Sequence, residues 1–517
     1  MRRFLAALST TLLLAPAAIA AAGPGKHEAK DATVKNPKDG TKIAITIFRP
    51  SGASAGNQVP VVLHSHGWAG SRETEIGPTV KPYLNAGFGV VSIDQRAHGD
   101  SEGQAHVQDP TKETEDVKAV IDHVAKLKWV KLDRPGDPVL AAIGGSYGGG
   151  YQTMTALDEI HETGRTRFNA LAPQITWFDL PQSLAPQKVP RSAWTALLYA
   201  AGASMVPDFI HEAFAWGTAT GQWPDGTLYG QKNGAFPNID KIFHRHSPVW
   251  YAERGIRINV PVLLRQGITD NLFPLNEGVH IFQDALSPMA RSHSYLIGYN
   301  GGHALPNALP PGNTTAAEIG GGEDVCSPKG NFTKLTIAFF ARVFSGRSTA
   351  GLMPAPYNLS TAASDKCLHL DRLPSGKAMT VDLAGYGPMV ATAGLGAPVH
   401  FPLVEGPVTL SGIPRLSGKV TSAGLDTRAF FGLAIGRTPA DATVVQNNLM
   451  PLHKMMPAQD QKFSIELSGV AIEIPEGQSL FLTITPISDM FFGHGSRTPG
   501  GLVLDSLQVE LPVSGGK

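Results

Sequence analysis

Cysteine is nearly absent: Cys326 and Cys367 are the only two among 517 residues. A disulfide-dense scaffold is therefore excluded, and one bridge is the most the chain can form. An excess of charge of either sign is missing as well. The 43 Lys and Arg residues balance 43 Asp and Glu residues, and no basic tract stands out, which argues against a nucleic-acid partner. Beyond the N-terminus no apolar run approaches the ~20 residues that a membrane-spanning helix needs. Neither an internal repeat nor a low-complexity tract is visible.

What remains is globular and turn-rich. Hydrophobic residues make up 42% of the chain, and 57 glycines and 40 prolines favour sheet and turns over a helical bundle. The length predicts two or three domains. At the start, Arg2 and Arg3 precede the apolar run Phe4 to Leu14, and small residues follow to Ala22. That pattern reads as a signal peptide over 1–22, with an exit at Ala18-Ile19-Ala20 or Ala20-Ala21-Ala22, by general export rather than the twin-arginine route. A secreted or periplasmic location follows as an expectation, and with it a Cys326–Cys367 disulfide tying the end of one domain to the linker behind it.

From 23 to 350, short apolar runs alternate with helical patterns. Strands are predicted at Ile43 to Phe48, Val59 to His64, Phe88 to Asp94, Val139 to Ile143, Phe168 to Ala172, Val260 to Arg265 and Tyr295 to Ile297. Val117, Val120, Ile121, Val124 and Leu127 repeat at helical spacing, and Leu335, Ile337, Phe339, Phe340 and Val343 close the region as an apolar helix. Alternation of this kind predicts an α/β domain with a parallel sheet covered on both faces. An aromatic-rich stretch at about 177–250 interrupts the rhythm and is placed to cap an active site. A linker is expected over 351–376. From 377 to 517, alternating β-rich pieces between Gly/Pro turns predict a β-sandwich or jelly roll.

Gly144-Gly145-Ser146-Tyr147-Gly148 fits G-x-S-x-G between a predicted strand and a helical run. A strand turning sharply into a helix lifts the serine hydroxyl above the sheet, and glycines let the crowded chains pass. Ser146 is the expected nucleophile. Its acid and base should follow in the order acid, then histidine, after later strands. Asp270 comes after Val260 to Arg265, and His303 follows Gly301-Gly302 after Tyr295 to Ile297. His280 falls inside a predicted helix, His293 enters a strand, and Asp94 precedes Ser146, so these rivals are set aside as structural. Amide donors for the oxyanion are assigned to Tyr147 and to Trp68 in His66-Gly67-Trp68. His64 and His66 would face opposite ways on a strand, and no carboxylate or thiolate spacing completes a zinc site, so neither a metal nor another cofactor is expected.

Asp94-Gln95-Arg96-Ala97-His98-Gly99-Asp100-Ser101-Glu102-Gly103, followed by Gly145-Ser146-Tyr147-Gly148-Gly149-Gly150-Tyr151-Gln152, resembles the Xaa-Pro dipeptidyl-peptidase/cocaine-esterase family. The resemblance extends over nearly all of the chain after the leader. It implies an α/β-hydrolase fold with an inserted helical cap, and a C-terminal jelly roll that helps wall the active site. It also implies cleavage of esters, amides or N-terminal dipeptides ending in proline. One departure stands out: the family commonly places a tyrosine hydroxyl in the early oxyanion loop, where this chain has His66-Gly67-Trp68. Ester hydrolysis is the leading expectation, on a small-molecule, peptide or polymer substrate. An Xaa-Pro dipeptidyl peptidase would need cap carboxylates for the substrate ammonium, with Asp179, Asp208, Glu212 and Asp225 as candidates. A catalytically inactive binding protein is the third possibility, opposed by the intact set Ser146, Asp270 and His303.

Overall fold

The computed structural model describes residues 25–225, 238–303, 305, 324–361, 366–374, 379–392, 397–445, 448–496 and 500–515. The leader expected over 1–22 lies outside them. Ten strands form the first sheet: β1 (Glu28–Lys35), β2 (Lys42–Arg49), β3 (Val61–Ser65), β4 (Gly89–Ile93), β5 (Leu140–Gly145), β6 (Ala170–Gln174), β7 (Leu263–Gly267), β8 (Tyr295–Tyr299), β9 (Tyr357–Ser360) and β10 (Cys367–Leu370). Their order is β1-β2-β4-β3-β5-β6-β7-β8-β9-β10. From β4 through β3 to β9 every pairing is parallel, and β1, β2 and β10 add antiparallel edges.

Helices that frame the sheet and the site include α1 (Lys81–Asn85), α2 (Glu113–Val124), α3 (Tyr147–Thr163), the cap group α4 (Leu180–Leu184), α5 (Ser192–Gly202), α6 (Asp208–Thr220) and α7 (Ile239–Arg245), then α8 (Leu275–His280) and α9 (Phe332–Phe344). Successive strand residues feed two separate cores. Val61, Leu63 and Leu140 pack with Val117, Val120 and Ile121 of α2 and Met154 of α3. Val62 and Ala141 face the other way, onto Tyr83, Leu84, Phe339 and Phe340 of α1 and α9. Burial on both faces is why these strands read as continuous apolar runs rather than alternating ones.

Connection order positions the site. The chain passes from β3 to β4 on one side and then crosses to β5 on the other. The crevice at the carboxyl ends of β3 and β5 is therefore the topological switch point where open α/β sheets bind ligands.

Strands β1, β9 and β10 and the place of the bridge differ from the sequence expectation. The stretch 351–376, expected as a linker, carries β9 and β10 and so extends the first sheet. Cys367 opens β10 and is disulfide-bonded to Cys326, so the bridge pins an edge strand of the same sheet rather than a linker. Strand β1 was not predicted: its residues Glu28-Ala29-Lys30-Asp31 are exposed and charged, as suits an edge.

The C-terminal region is antiparallel throughout. One sheet orders Met379–Asp382, Gly501–Leu511, Arg415–Ala423 and Ala458–Glu466; another orders Val399–Glu405, Ser479–Thr485, Thr427–Gly436 and Thr443–Val444. Leu416, Val420, Phe431, Leu433, Leu482 and Leu504 bury a common apolar core.

Candidate active site

Ser146 sits between β5 and α3 with φ 57° and ψ −121°, a backbone state that a side-chain-bearing residue holds only when its surroundings impose it. The imposition comes from crowding. A Cβ on Gly148 would lie 2.4 Å from the Ser65 carbonyl oxygen, and one on Gly144 would lie 2.6 Å from it, so β3 and the turn pass at backbone contact. The Ser146 amide donates to the Gln174 carbonyl at 2.9 Å, while the Gly149 and Gly150 amides donate to the Ser146 carbonyl. Helix α3 starts directly behind, so the positive end of its dipole lies at Ser146.

The three residues singled out in order meet here. The Ser146 hydroxyl donates to His303 Nε2 at 2.8 Å, and His303 Nδ1 donates to Asp270 Oδ2 at 2.8 Å. Asp270 is fully buried, and its carboxylate is saturated. Oδ1 accepts the amides of Leu272 (3.0 Å) and Phe273 (2.7 Å), and Oδ2 also accepts the His303 amide at 2.9 Å. Four charge-assisted bonds fix the carboxylate plane and leave the imidazole one tautomer, with the free nitrogen toward Ser146. Phe273 stands edge-on to the His303 ring at 5.2 Å.

The rivals are engaged elsewhere. Both ring nitrogens of His280 meet carboxylates, Asp284 at 2.9 Å and Glu466 of the C-terminal region at 3.0 Å. His293 contacts the Met289 carbonyl at 3.0 Å in an exposed turn. Asp94 accepts the Arg72 and Asp100 amides and pairs with the Arg72 guanidinium. A Cβ on Gly99, at φ +52°, would run into that carboxylate. Arg96 of the same motif forks onto Asp116 with two 2.8 Å bonds and reaches Asp39 at 2.7 Å. Asp94 through Gly103 thus braces the loops behind the site.

Loop His66-Gly67-Trp68 leaves the end of β3 beside Ser146: a Cβ on Gly67 would lie 3.7 Å from the Ser146 Cβ. His66 holds this loop. Its Nδ1 donates to the Gly67 carbonyl at 2.8 Å and its Nε2 accepts the Gln95 amide at 3.1 Å. Burial depresses its pKa to about 4, so it stays neutral and keeps that tautomer. His64 turns instead to Ser92 Oγ at 2.8 Å. The Trp68 ring packs edge-on against Tyr147 at 5.2 Å.

Ser146 opens into a cavity of about 540 Å³ walled by Trp68, Tyr147, Trp177, Trp223, Phe243 and Phe273, with α5 and α6 on one side. Phe492 and His494 of the C-terminal region complete the wall. Among the described residues the lining holds no Asp, Glu, Lys or Arg. The four cap acids lie elsewhere. Asp179 caps α4 by accepting the Gln182 amide at 3.3 Å, Asp208 and Glu212 are exposed on α6, and Asp225 pairs with Lys188. Glu115, Asp158 and Glu162 converge closely enough to hold a cation, but Lys118 Nζ already bonds all three at 2.7–2.9 Å.

Sequence reasoning missed Arg191, Trp194, Asn271 and Asn448, which buttress Asp270 and His303. Only Asn271, adjacent to Asp270, carried a positional hint; the others come from the cap and the C-terminal region, where local pattern says nothing of contact.

Known proteins share this fold. A CocE/NonD family hydrolase from Staphylococcus aureus superposes with a TM-score of 0.65 at 16% identity, covering 94% of this chain and 93% of its own. An α-amino acid ester hydrolase superposes with a TM-score of 0.59 at 14% identity, covering 98% and 100%. At such identities the likeness is one of fold. Among curated sequences, the uncharacterized protein YcjY of Escherichia coli (strain K12) is 28% identical over 118 residues, 23% of this chain and 37% of that protein. The matched stretch spans only 35–38% of the length of the curated relatives. The family model of the X-Pro dipeptidyl-peptidase (S15 family) matches residues 39–304, just over half of the chain, and the chain belongs to that family of α/β-type serine hydrolases.

Proposed function

We propose that this protein is a carboxylic-ester hydrolase with a preference for apolar acyl groups, working through Ser146, His303 and Asp270. His303 Nε2 takes the hydroxyl proton as Ser146 Oγ attacks the ester carbonyl. The amides of Tyr147 and Trp68 receive the oxyanion, and the imidazolium returns its proton to the leaving alkoxide. Water activated by His303 then releases the acid and restores the serine. Asp270 stays ionised throughout and stabilises the imidazolium.

The observation that carries this reading is the composition of the cavity at Ser146. A peptidase that requires a free N-terminal amine needs a carboxylate to meet it, because a buried ammonium without a partner is strongly disfavoured. The described lining offers aromatic and aliphatic side chains and a few hydroxyls, so apolar burial is the available source of specificity. Short p-nitrophenyl acyl esters are expected to turn over well above Gly-Pro-p-nitroanilide, with kcat/KM rising smoothly with chain length and Ser146→Ala as the blank. A strong preference for the dipeptide anilide, lost on acetylating its amine, would favour the dipeptidyl-peptidase alternative instead.

We further propose that the enzyme acts outside the cytoplasm. The leader-like residues 1–22 and the Cys326–Cys367 disulfide both support it, since such bridges persist in oxidising compartments. Exported protein should begin after Ala20 or Ala22 in its N-terminal peptide; retention of Met1 in the mature chain would contradict export by cleavage.

A further inference from the structure

Helix α5 runs from one side of the site to the other without a charged side chain. Arg191, immediately before it, is fully buried and donates from Nη1 to the Asn271 carbonyl at 3.0 Å and to Asn448 Oδ1 at 2.9 Å. Asn448 Nδ2 in turn donates to the Asp270 carbonyl at 3.3 Å. One turn into the helix, Trp194 Nε1 donates to Asn271 Oδ1 at 2.8 Å, and its ring stands edge-on to the His303 imidazole at 5.8 Å and 89°. Another turn on, the Leu198 carbonyl accepts Trp68 Nε1 at 2.9 Å. At the end, Gly202 is the one buried residue of the helix, and a Cβ there would lie 2.4 Å from the Trp68 ring.

Positions 194, 198 and 202 are four apart and share a helix face, so a single rigid element touches the loops on both sides of Ser146. Asn271 is the relay at the acid–base end. Its amide donates to the His303 carbonyl at 2.7 Å, its Oδ1 also accepts the Leu305 amide at 3.2 Å, and its Nδ2 donates to the Leu305 carbonyl at 3.1 Å. The Asn271 side chain that receives the Trp194 indole thus clamps Leu305, two residues past His303, while the Asn271 amide and Asp270 hold His303 itself.

We propose that Trp194 is a positioning residue that sets His303 against Ser146 through Asn271, on a helix that straps this pair to the Trp68 loop. The proposal rests on the serine-hydrolase reading of the site. Small displacements matter here because an attack geometry misplaced by about 1 Å costs about 10²-fold in rate.

The test uses Trp194→Phe, which keeps an aromatic ring beside His303 but removes the indole N–H, with Asn271→Ala and the double variant beside it. Turnover of an apolar p-nitrophenyl ester is expressed per active site titrated with a fluorophosphonate, so that any misfolded fraction drops out. Trp194→Phe is expected to lower kcat about 10- to 100-fold. KM should stay within about twofold, and the double variant should be no slower than Asn271→Ala alone. Unchanged kcat in Trp194→Phe, a loss confined to KM, or additive losses in the double variant would overturn the proposal. Wild-type turnover that survives Ser146→Ala would instead overturn the hydrolase reading beneath it.

Discussion

Two of the cavities that meet the cap are opposites. The one at Ser146, about 540 Å³, is walled by aromatic and aliphatic side chains. The other, about 770 Å³, lies among Asp179, Lys188, Asp225, Asp240, Lys241 and His244. Burial raises the pKa of both Asp179 and Asp240, so these carboxyls sit in a setting that resists their charge. The larger and more polar of the two is thus the one away from Ser146. Cap acids in a sequence suggest an ammonium site, but here Asp179 and Asp225 line the other cavity together with Lys188 and Lys241, and among the described residues the chamber at Ser146 has no Asp, Glu, Lys or Arg in its lining. Size and charge do not single out the Ser146 chamber; the hydrogen-bonded series Ser146, His303 and Asp270 does.

The contrast can be broken most sharply at the histidines. His303→Ala should lower kcat by roughly six orders of magnitude, the scale of losing a triad histidine. His280→Ala, at the contact with the C-terminal region, should change stability while leaving ester turnover per folded molecule in place. Steady-state kinetics on both variants decide it, and the reverse pattern would mean the base is misassigned.

Next in size is the apolar wall. Ile210 of α6 lines the chamber and is only partly buried, so Ile210→Ala trims the wall without opening the core. Octanoate esters should lose about 1 kcal/mol of kcat/KM discrimination, roughly fivefold, with acetate nearly unaffected. A uniform loss across the series would place the acyl chain elsewhere.

A smaller effect is expected with pH. Burial opposes the charged form of His280, but hydrogen bonds to Asp284 and Glu466 outweigh it and push its pKa up to about 10. The folded value lies above the unfolded one, near 6.5. The His280–Glu466 contact therefore stabilises the fold fully below about pH 6.5, and its contribution is lost as pH rises toward 10. Thermal unfolding from pH 6 to 10 should show a falling Tm that flattens in His280→Ala; identical slopes would remove the histidine from the cause. Smallest of all, Asp208→Asn with Glu212→Gln should leave the ester series within about twofold, since exposed surface charges away from a site contribute little.

Legibility followed the reach of the physical signal. Strands β2 to β8 were readable because burial on both faces writes continuous apolar runs, and the elbow at Ser146 was readable because steric crowding demands glycines at fixed offsets. Asp270 and His303 followed from chain order, one strand apart. Strand β1 was hidden by its exposed charges, and β9 and β10 by their shortness and the polar residues between them. The supports Trp194, Arg191 and Asn448 were illegible for a different reason. Their roles arise from contacts between the cap, the acid loop and a region more than 170 residues further on, with separations such as 178 between Asn448 and Asp270 that no local pattern encodes.

The most direct measurement is peptide mapping of the covalent adduct formed with an alkyl fluorophosphonate, run beside a dipeptidyl phosphonate bearing a free amine. The expected result is a single modification on Ser146, absent in Ser146→Ala, with the alkyl reagent reacting faster than the dipeptidyl one. Modification at another residue, or faster labelling by the dipeptidyl reagent that disappears when its amine is acetylated, would contradict an apolar acyl site built on Ser146.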